Sequence, residues 1–424
     1  MGRQPSAFCL KWPLAEIPVR NPPATAAETE SSRRRLGFWS VAASITILVL
    51  GANTPLPLLT IYQDDWHLTT ATLTIIYAVY TAGVVAAVFL LGPLSDQAGR
   101  KTVLLPSMAA MALGLLAGLF AQDVPMLIVS RLLQGVAIGA GVTTAIAALG
   151  DLTPRGKDHG FAALITTLAT VFGLAGGPLV AGMLAQFAPW PTIVPYVVSL
   201  ALLAIAVAGV AAAPETVRNQ TEVRLRPKAI AIPASIRHSF LLACFVEMTA
   251  YAVAGTIAGL GGSFARDLLH DGNHATAGLI VALLFLMSAA AQIAFSSWKL
   301  KRSMTVGLTL LFAGLIVASF ALQAQSVALF FAATACLGAG HGLAYVGSQE
   351  LTDRIAPAGR RAEIFSGFQL ALYFGATVPA VAVGFSANAV GFANATYAFL
   401  ALIAVLCLTG IIWIARSKEP ALGV

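Results

Sequence analysis

GAGVTTAIAALGDLTPR, residues 139–155, aligns without gaps with GAGHGLAYVGSQELTDR, residues 338–354. Seven of the seventeen positions are identical, and Asp151 meets Glu350. The offset is 199 residues, close to half of a 424-residue chain. A weaker match sets WHLTTATL (66–73) on NHATAGLI (273–280) at an offset of 207. The chain therefore reads as one unit written twice.

Composition says what the unit is made of. Hydrophobic residues make up 58% of the chain and charged residues 10%, against about 25% charged in an average soluble protein. The apolar residues come in blocks of about 20, the length of helix that crosses a hydrocarbon layer of ~30 Å. Lipid offers backbone groups no hydrogen-bond partners, so such blocks should be helices. Spans are expected at 37–62, 70–92, 103–121, 124–150, 160–186 and 190–212, and again at 239–264, 275–297, 304–323, 326–349, 362–387 and 393–415. The fold class is an all-α membrane protein, with twelve transmembrane helices in two pseudo-symmetric six-helix bundles. Residues 1–36 read as a disordered cytoplasmic tail, 37–213 as the first bundle, 214–237 as a central cytoplasmic loop, and 238–424 as the second bundle with a short tail. Duplicated six-span halves are a transporter signature, with the solute site near the midplane between them.

Charge sets the orientation. Alternate connections carry Arg100 and Lys101, Arg155 and Lys157, five basic residues in the central loop, Lys299, Lys301 and Arg302, and Arg354, Arg360 and Arg361. The opposite connections carry Asp64, Asp65, Asp123, Asp267 and Asp271, with Arg266 the single basic residue. Both termini should be cytoplasmic, in the plasma membrane (the inner membrane of a bacterium). The net charge of +7 is spread over short loops instead of forming one patch, which argues against a nucleic-acid partner. Cys9, Cys244, Cys336 and Cys407 include no CxxC pair, so no disulfide or zinc site is expected. HDGNH, with His270, Asp271 and His274, reads as a polar turn. No metal or cofactor is expected.

One connection concentrates charge and glycine. LGPLSDQAGRKTVLLP, residues 91–106, places Gly92, Asp96, Gly99, Arg100 and Lys101 at spacings that resemble the loop-2–3 signature of the major facilitator superfamily. RLLQGVAIG resembles that family's fourth-span signature through Arg131, Gln134, Gly135 and Gly139. GLAGGPLVAG resembles its antiporter signature on the fifth span through Gly173, Gly177, Pro178 and Gly182. Gln97 and Ala181 depart from the usual pattern. The similarity covers roughly residues 37–415, and its nearest type is the twelve-span drug:proton antiporters. It implies that Asp96 docks across the domain interface near the start of the eleventh span. Arg100 is expected to pair with Asp151, so that Gly92, Asp96, Gly99, Arg100, Lys101 and Asp151 form a conformational latch. Gly99 should permit a tight turn. Gly173, Gly177, Pro178 and Gly182 are expected to seal the interface, with Pro178 bending the helix.

Ionisable groups inside spans are functional candidates. Arg131, Glu247 and His341 are three such groups. Arg131 lies about two turns from the outer end of the fourth span, and the resemblance implies that it is a cavity residue, with Gln134 beside it, that takes part in proton coupling or organises the site. Glu247, about 12 Å into the seventh span, is the expected proton carrier, with His341 as its rival. Asn53 is the strongly polar residue of the first span. Tyr77, Tyr80, Tyr251, Tyr345 and Tyr373, with Gln369, are further lining candidates.

The expected function is secondary active transport by alternating access: proton-coupled efflux of small hydrophobic or amphipathic molecules. The partners would be a small-molecule solute, protons and the lipid bilayer, and the chain is expected to act as a monomer. One alternative is proton-coupled uptake of a small organic anion or metabolite, with Arg131 as its partner. Another is a membrane sensor that moves no solute. No nucleophile–base cluster suggests an enzyme, and no G-x-x-x-x-G-K-[ST] loop suggests a primary pump.

Overall fold

The computed structural model describes residues 24–91, 94–153, 159–217, 232–357 and 359–417. Gly92, Arg155, Lys157, Cys9, the central-loop stretch 218–231 and both chain ends lie outside the described residues, as does the side chain of Asp96.

Six long helices form the N half: α1 (Ala24–Asn53), α3 (Thr70–Leu91), α5 (Arg100–Leu119), α6 (Val124–Leu152), α7 (His159–Phe187) and α8 (Val194–Ala212). Two short ones lie between them, α2 (Leu59–Asp65) and α4 (Leu94–Ala98). The C half contains α9 (Arg237–Ser263), α10 (His274–Ala294), α11 (Leu300–Gln323), α12 (Val327–Ile355), α13 (Arg361–Val390) and α14 (Phe392–Arg416). Among the described residues, twelve helices are long and apolar enough to cross a membrane. The connections gather at two ends, named here the basic end (around α4 and the α10–α11 turn) and the acidic end (around Asp64 and Asp267).

Local chemistry explains the boundaries. Asp123 and Ser326 cap the fourth helix of each half, accepting from the backbone N–H groups of Met126 at 2.9 Å and Leu329 at 3.3 Å. Such caps satisfy donors that the first helical turn leaves free. Gly99, just before α5, has φ of 108°, a conformation that favours glycine. Two expectations need correction. The first span is not one helix over 37–62. Pro55 and Pro57 supply no backbone N–H, so α1 stops at Asn53 and the chain turns before α2 begins. Residues 24–36 are not a disordered tail; they extend α1, where good helix formers (Ala24, Ala26, Ala27, Glu28, Glu30, Arg33) favour helix.

The sequence repeat is a packing repeat. A Cβ on Gly139 would collide with the Val84 carbonyl of α3, and one on Gly338 with the Leu284 carbonyl of α10. Gly141 and Gly340 in turn lie against α5 and α11. Each half thus seats its fourth helix on its second and third through the same two small residues, the usual way of bringing helices together where lipid removes the hydrophobic drive. The halves themselves meet along α3 against α13 and α7 against α10.

Candidate functional site

The break in α1 shapes the polar centre of the N half. Because Leu56 N–H bonds to the Asn53 carbonyl at 3.2 Å, the carbonyl of Ala52 is left without its helical donor. Arg131 of α6 replaces it, with Nη1 donating to Ala52 O and to Gln134 Oε1, both at 2.6 Å. Its guanidinium lies 4.5 Å from the Tyr80 ring centroid, within cation–π range. The side chain is buried and its Nε has no protein partner. Arg131 is therefore an inward-held cation and does not snorkel to the surface. Asn53, expected as a polar lining residue, stands partly buried at the end of α1, where its Nδ2 donates to Val49 O at 2.7 Å.

The C half holds the acid. Glu247 of α9 is fully buried, and its Oε2 accepts from Ser348 Oγ of α12 at 2.7 Å. Oε1 has no partner, and among the described residues no cation pairs with the group. One turn up each helix stand Tyr251 and Tyr345, with ring centroids 6.1 Å apart. Next comes His341, 4.7 Å from the Tyr251 ring, its Nδ1 2.9 Å from Ser288 Oγ. The spacing 341, 345, 348 lies on one face of α12, and 247 and 251 on one face of α9, as i, i+4 geometry requires. The result is a polar ladder between α9 and α12. His341 Nε2 is buried without a partner.

Five of the chain's eight tyrosines gather where these two centres face each other. Tyr77 of α3 approaches Gly259 of α9 across the halves. Tyr80, Tyr251, Tyr345 and Tyr373 are only partly buried, although they sit mid-helix. Among the described residues none of the five hydroxyls has a protein hydrogen-bond partner. Buried tyrosine hydroxyls usually find one, so this lining offers free polar handles on an aromatic wall.

The two ends differ. At the acidic end the halves touch directly. Gly182 and Pro178 of α7 lie against Gly278 of α10, and Gly384 of α13 against Thr74 of α3. Arg266, on the π-helical turn Phe264–Leu268, bonds Asp64 of the N half at 2.6 Å while gripping Asp267 at 2.6 Å and 3.1 Å. Gly173 and Gly177 use the other face of α7, against α1. The antiporter-like stretch thus joins α1 to α10. Arg266 entered the sequence reading only as a loop charge; its isolation among acids was the available signal.

At the basic end the bonds of Arg100 to Asp151 and of Lys101 to Ala211 and Ala213 lie within the N half. Arg100 Nε meets Asp151 Oδ2 at 3.1 Å. Lys101 Nζ donates to Ala211 O at 2.7 Å and Ala213 O at 3.0 Å. Glu215 was missed in the sequence reading. Its carboxylate accepts the backbone N–H groups of Arg100 at 3.0 Å and Lys101 at 2.9 Å. Partial burial opposes its charge, but these bonds and those from Thr216 and Val217 outweigh burial and hold its carboxyl below the ordinary range. The expected Arg100–Asp151 pair is thus present as a brace inside one half. The docking expected of Asp96 rests on a side chain outside the described residues.

Comparison with known proteins fits this geometry. The family model of the Major Facilitator Superfamily matches residues 41–265. The multidrug resistance protein MdtM of Salmonella typhimurium is 30% identical over 142 residues, 34% of this chain and 34% of that protein. The 4-hydroxybenzoate transporter PcaK of Pseudomonas putida is 29% identical over 130 residues, 30% of this chain and 28% of that protein. The chain thus spans about a third or less of these curated relatives. A crystal structure of a POT family transporter in complex with 5-aminolevulinic acid superposes with a TM-score of 0.73 at 10% identity, covering 91% of this chain and 96% of that one; at that identity the likeness is one of fold. With twelve spans in two matched halves and a family model matching more than half of its length, the chain belongs to the Major Facilitator Superfamily, a family of membrane transporters.

Proposed function

We propose that the protein is a secondary active transporter that expels small hydrophobic or amphipathic molecules in exchange for protons, by alternating access. In this reading its basic end faces the cytoplasm, the side that the charge asymmetry favours. The observation that carries this reading is the tyrosine wall between the halves, backed by a buried carboxyl with no cationic partner among the described residues. An aromatic cavity with few polar groups suits amphipathic solutes, and Glu247 is a group that takes up and releases one proton. The resemblance to MdtM supports the export direction. Alternation would close the basic end through the latch residues around Asp96 as the acidic-end contacts part.

Efflux from a host stripped of its own exporters, with and without an uncoupler, tests the reading. Glu247→Gln should abolish gradient-driven export yet spare solute exchange, which moves no net proton. If Glu247→Gln keeps an unchanged pH profile while His341→Gln loses it, coupling belongs to His341. Insensitivity of export to the uncoupler would end the proton reading.

A second reading has its own observation. Arg131 is a buried cation with one unpartnered N–H, a fit for a carboxylate, and PcaK is a transporter of 4-hydroxybenzoate by name. Uptake of an aromatic acid into right-side-out vesicles, lost in Arg131→Gln, would favour it over export.

A further inference from the structure

The two halves treat the start of their third helix in opposite ways. In the N half the start of α5 is satisfied from within: Arg100 pairs with Asp151, Lys101 Nζ donates to the carbonyls of Ala211 and Ala213, and Glu215 accepts from the first backbone N–H groups of α5. The offset of 199 puts Lys299 at the place of Arg100 and Glu350 at that of Asp151. There the arrangement is not repeated. Glu350 is taken by Arg354 of its own helix. No acid lies in the first turn of α11 and no side chain caps it.

What stands there is positive charge. Lys299, Lys301 and Arg302 have no acidic partner among the described residues. Where the N half supplies Glu215 three residues after its sixth helix, the described residues of the C half end with α14 at Arg416 and Ser417, and Glu419 lies outside them. Gly410 of α14 packs on Leu308 of α11. The helices are antiparallel, so Arg416 and Arg302 both lie six residues, or about 9 Å, toward the basic end from that contact. The four cations therefore share one level.

The corner is also built for a membrane boundary. Arg302 lies over the Trp298 ring at 4.0 Å, and Trp298 packs against Phe295 with ring centroids 4.3 Å apart and planes tilted by 40°. Phe295 and Ile293 beside them are exposed, continuing the lipid-facing wall of α10. Tryptophan favours the headgroup level.

We propose that this corner, made by the α10–α11 turn and the end of α14, binds the headgroup of an anionic phospholipid. The lipid phosphate sits against the cations at the start of α11, and the acyl chains run along Phe295 and Ile293. Basic clusters next to a span attract acidic lipid by roughly fivefold per residue.

The test uses the purified full-length chain in micelles doped with phosphatidylglycerol or phosphatidylcholine, with retained lipid read by native mass spectrometry. The wild type should retain phosphatidylglycerol at least ~10-fold better. The variant Lys299→Gln/Lys301→Gln/Arg302→Gln should lose that preference. The swap Lys299→Arg/Lys301→Arg/Arg302→Lys should keep both charge and preference, which guards against a fold defect. Brominated phosphatidylglycerol should quench the wild-type fluorescence more than that of Trp298→Phe. Equal preference in the wild type and the Gln variant overturns the proposal. Displacement of the lipid by glycerol phosphate at matched concentration also overturns it, since the site would then be one for soluble anions.

Discussion

Residue 131 and residue 330 occupy the same place in the two halves, 199 positions apart on the fourth helix of each. One is a buried arginine held by the broken end of α1; the other is Phe330, buried in an apolar core. Likewise His341 stands where the N half has Val142. The glycines that seat the helices are shared, and the polar chemistry is not. Packing geometry persists through duplication because each contact depends on backbone proximity alone. A charge survives only where its partners survive as well.

The sharpest way to break this contrast is a pair of truncations. Arg131→Ala strands two buried acceptors, Ala52 O and Gln134 Oε1, at roughly 2–5 kcal/mol in all. Phe330→Ala opens a cavity at about 3–5 kcal/mol. Both should lower the thermal midpoint in detergent to a similar degree, yet only Arg131→Ala should abolish transport when expression is matched. Comparable residual transport in the two would mean the halves are functionally alike.

Next in size is the seam between the halves. Gly182→Val drives a side chain into the backbone of α10, with overpacking of about 1–3 kcal/mol. Transport should fall about tenfold, and a cysteine placed at the acidic end should become more reactive. Gly150, with open space around its would-be Cβ, serves as the control: Gly150→Ala should stay within ~0.5 kcal/mol of wild type.

Glu215 probes a brace that has no counterpart among the described residues of the C half. Its carboxyl is held below its ordinary value, so its stabilisation is present above the unfolded-state value of about 4.3. It fades as pH falls through the lower folded-state value. At neutral pH Glu215→Gln should cost about 1 kcal/mol. Thermal midpoints of the two proteins should converge below about pH 4, and a gap that persists there would refute the brace.

The smallest effect belongs to Arg266→Gln. Arg266 and Asp64 are partly exposed, so their bond contributes at most about 1 kcal/mol. A shift of up to about fivefold in acidic-end accessibility is the expected readout, and it should weaken in high salt.

Apolar block length and loop charge made the number and order of the spans legible in sequence, because both follow from the membrane alone. The repeat made the matched glycines legible. Arg131, Glu247 and His341 stood out because charge inside a span is rare. Their partners did not. Nothing local marks Ser348 as the donor to a carboxyl 101 residues away, or Ala52 as the carbonyl a cation will claim. Glu215 was hidden for the same reason: its role depends on the end of α8 reaching the start of α5. The first span was misjudged because hydropathy runs straight through Pro55 and Pro57, while the backbone does not.

Those two prolines and Arg131 form one heritable unit. The arginine works as a prosthetic amide, standing in for a donor that α1 gave up when its helix stopped. If both prolines were lost, the helix would heal and reclaim the Ala52 carbonyl, leaving the guanidinium to search for another anchor. If the arginine were lost first, the carbonyl would be stranded. Lineages of this chain should therefore change positions 55, 57 and 131 together or leave all three alone, a correlated inheritance imposed by a single carbonyl oxygen.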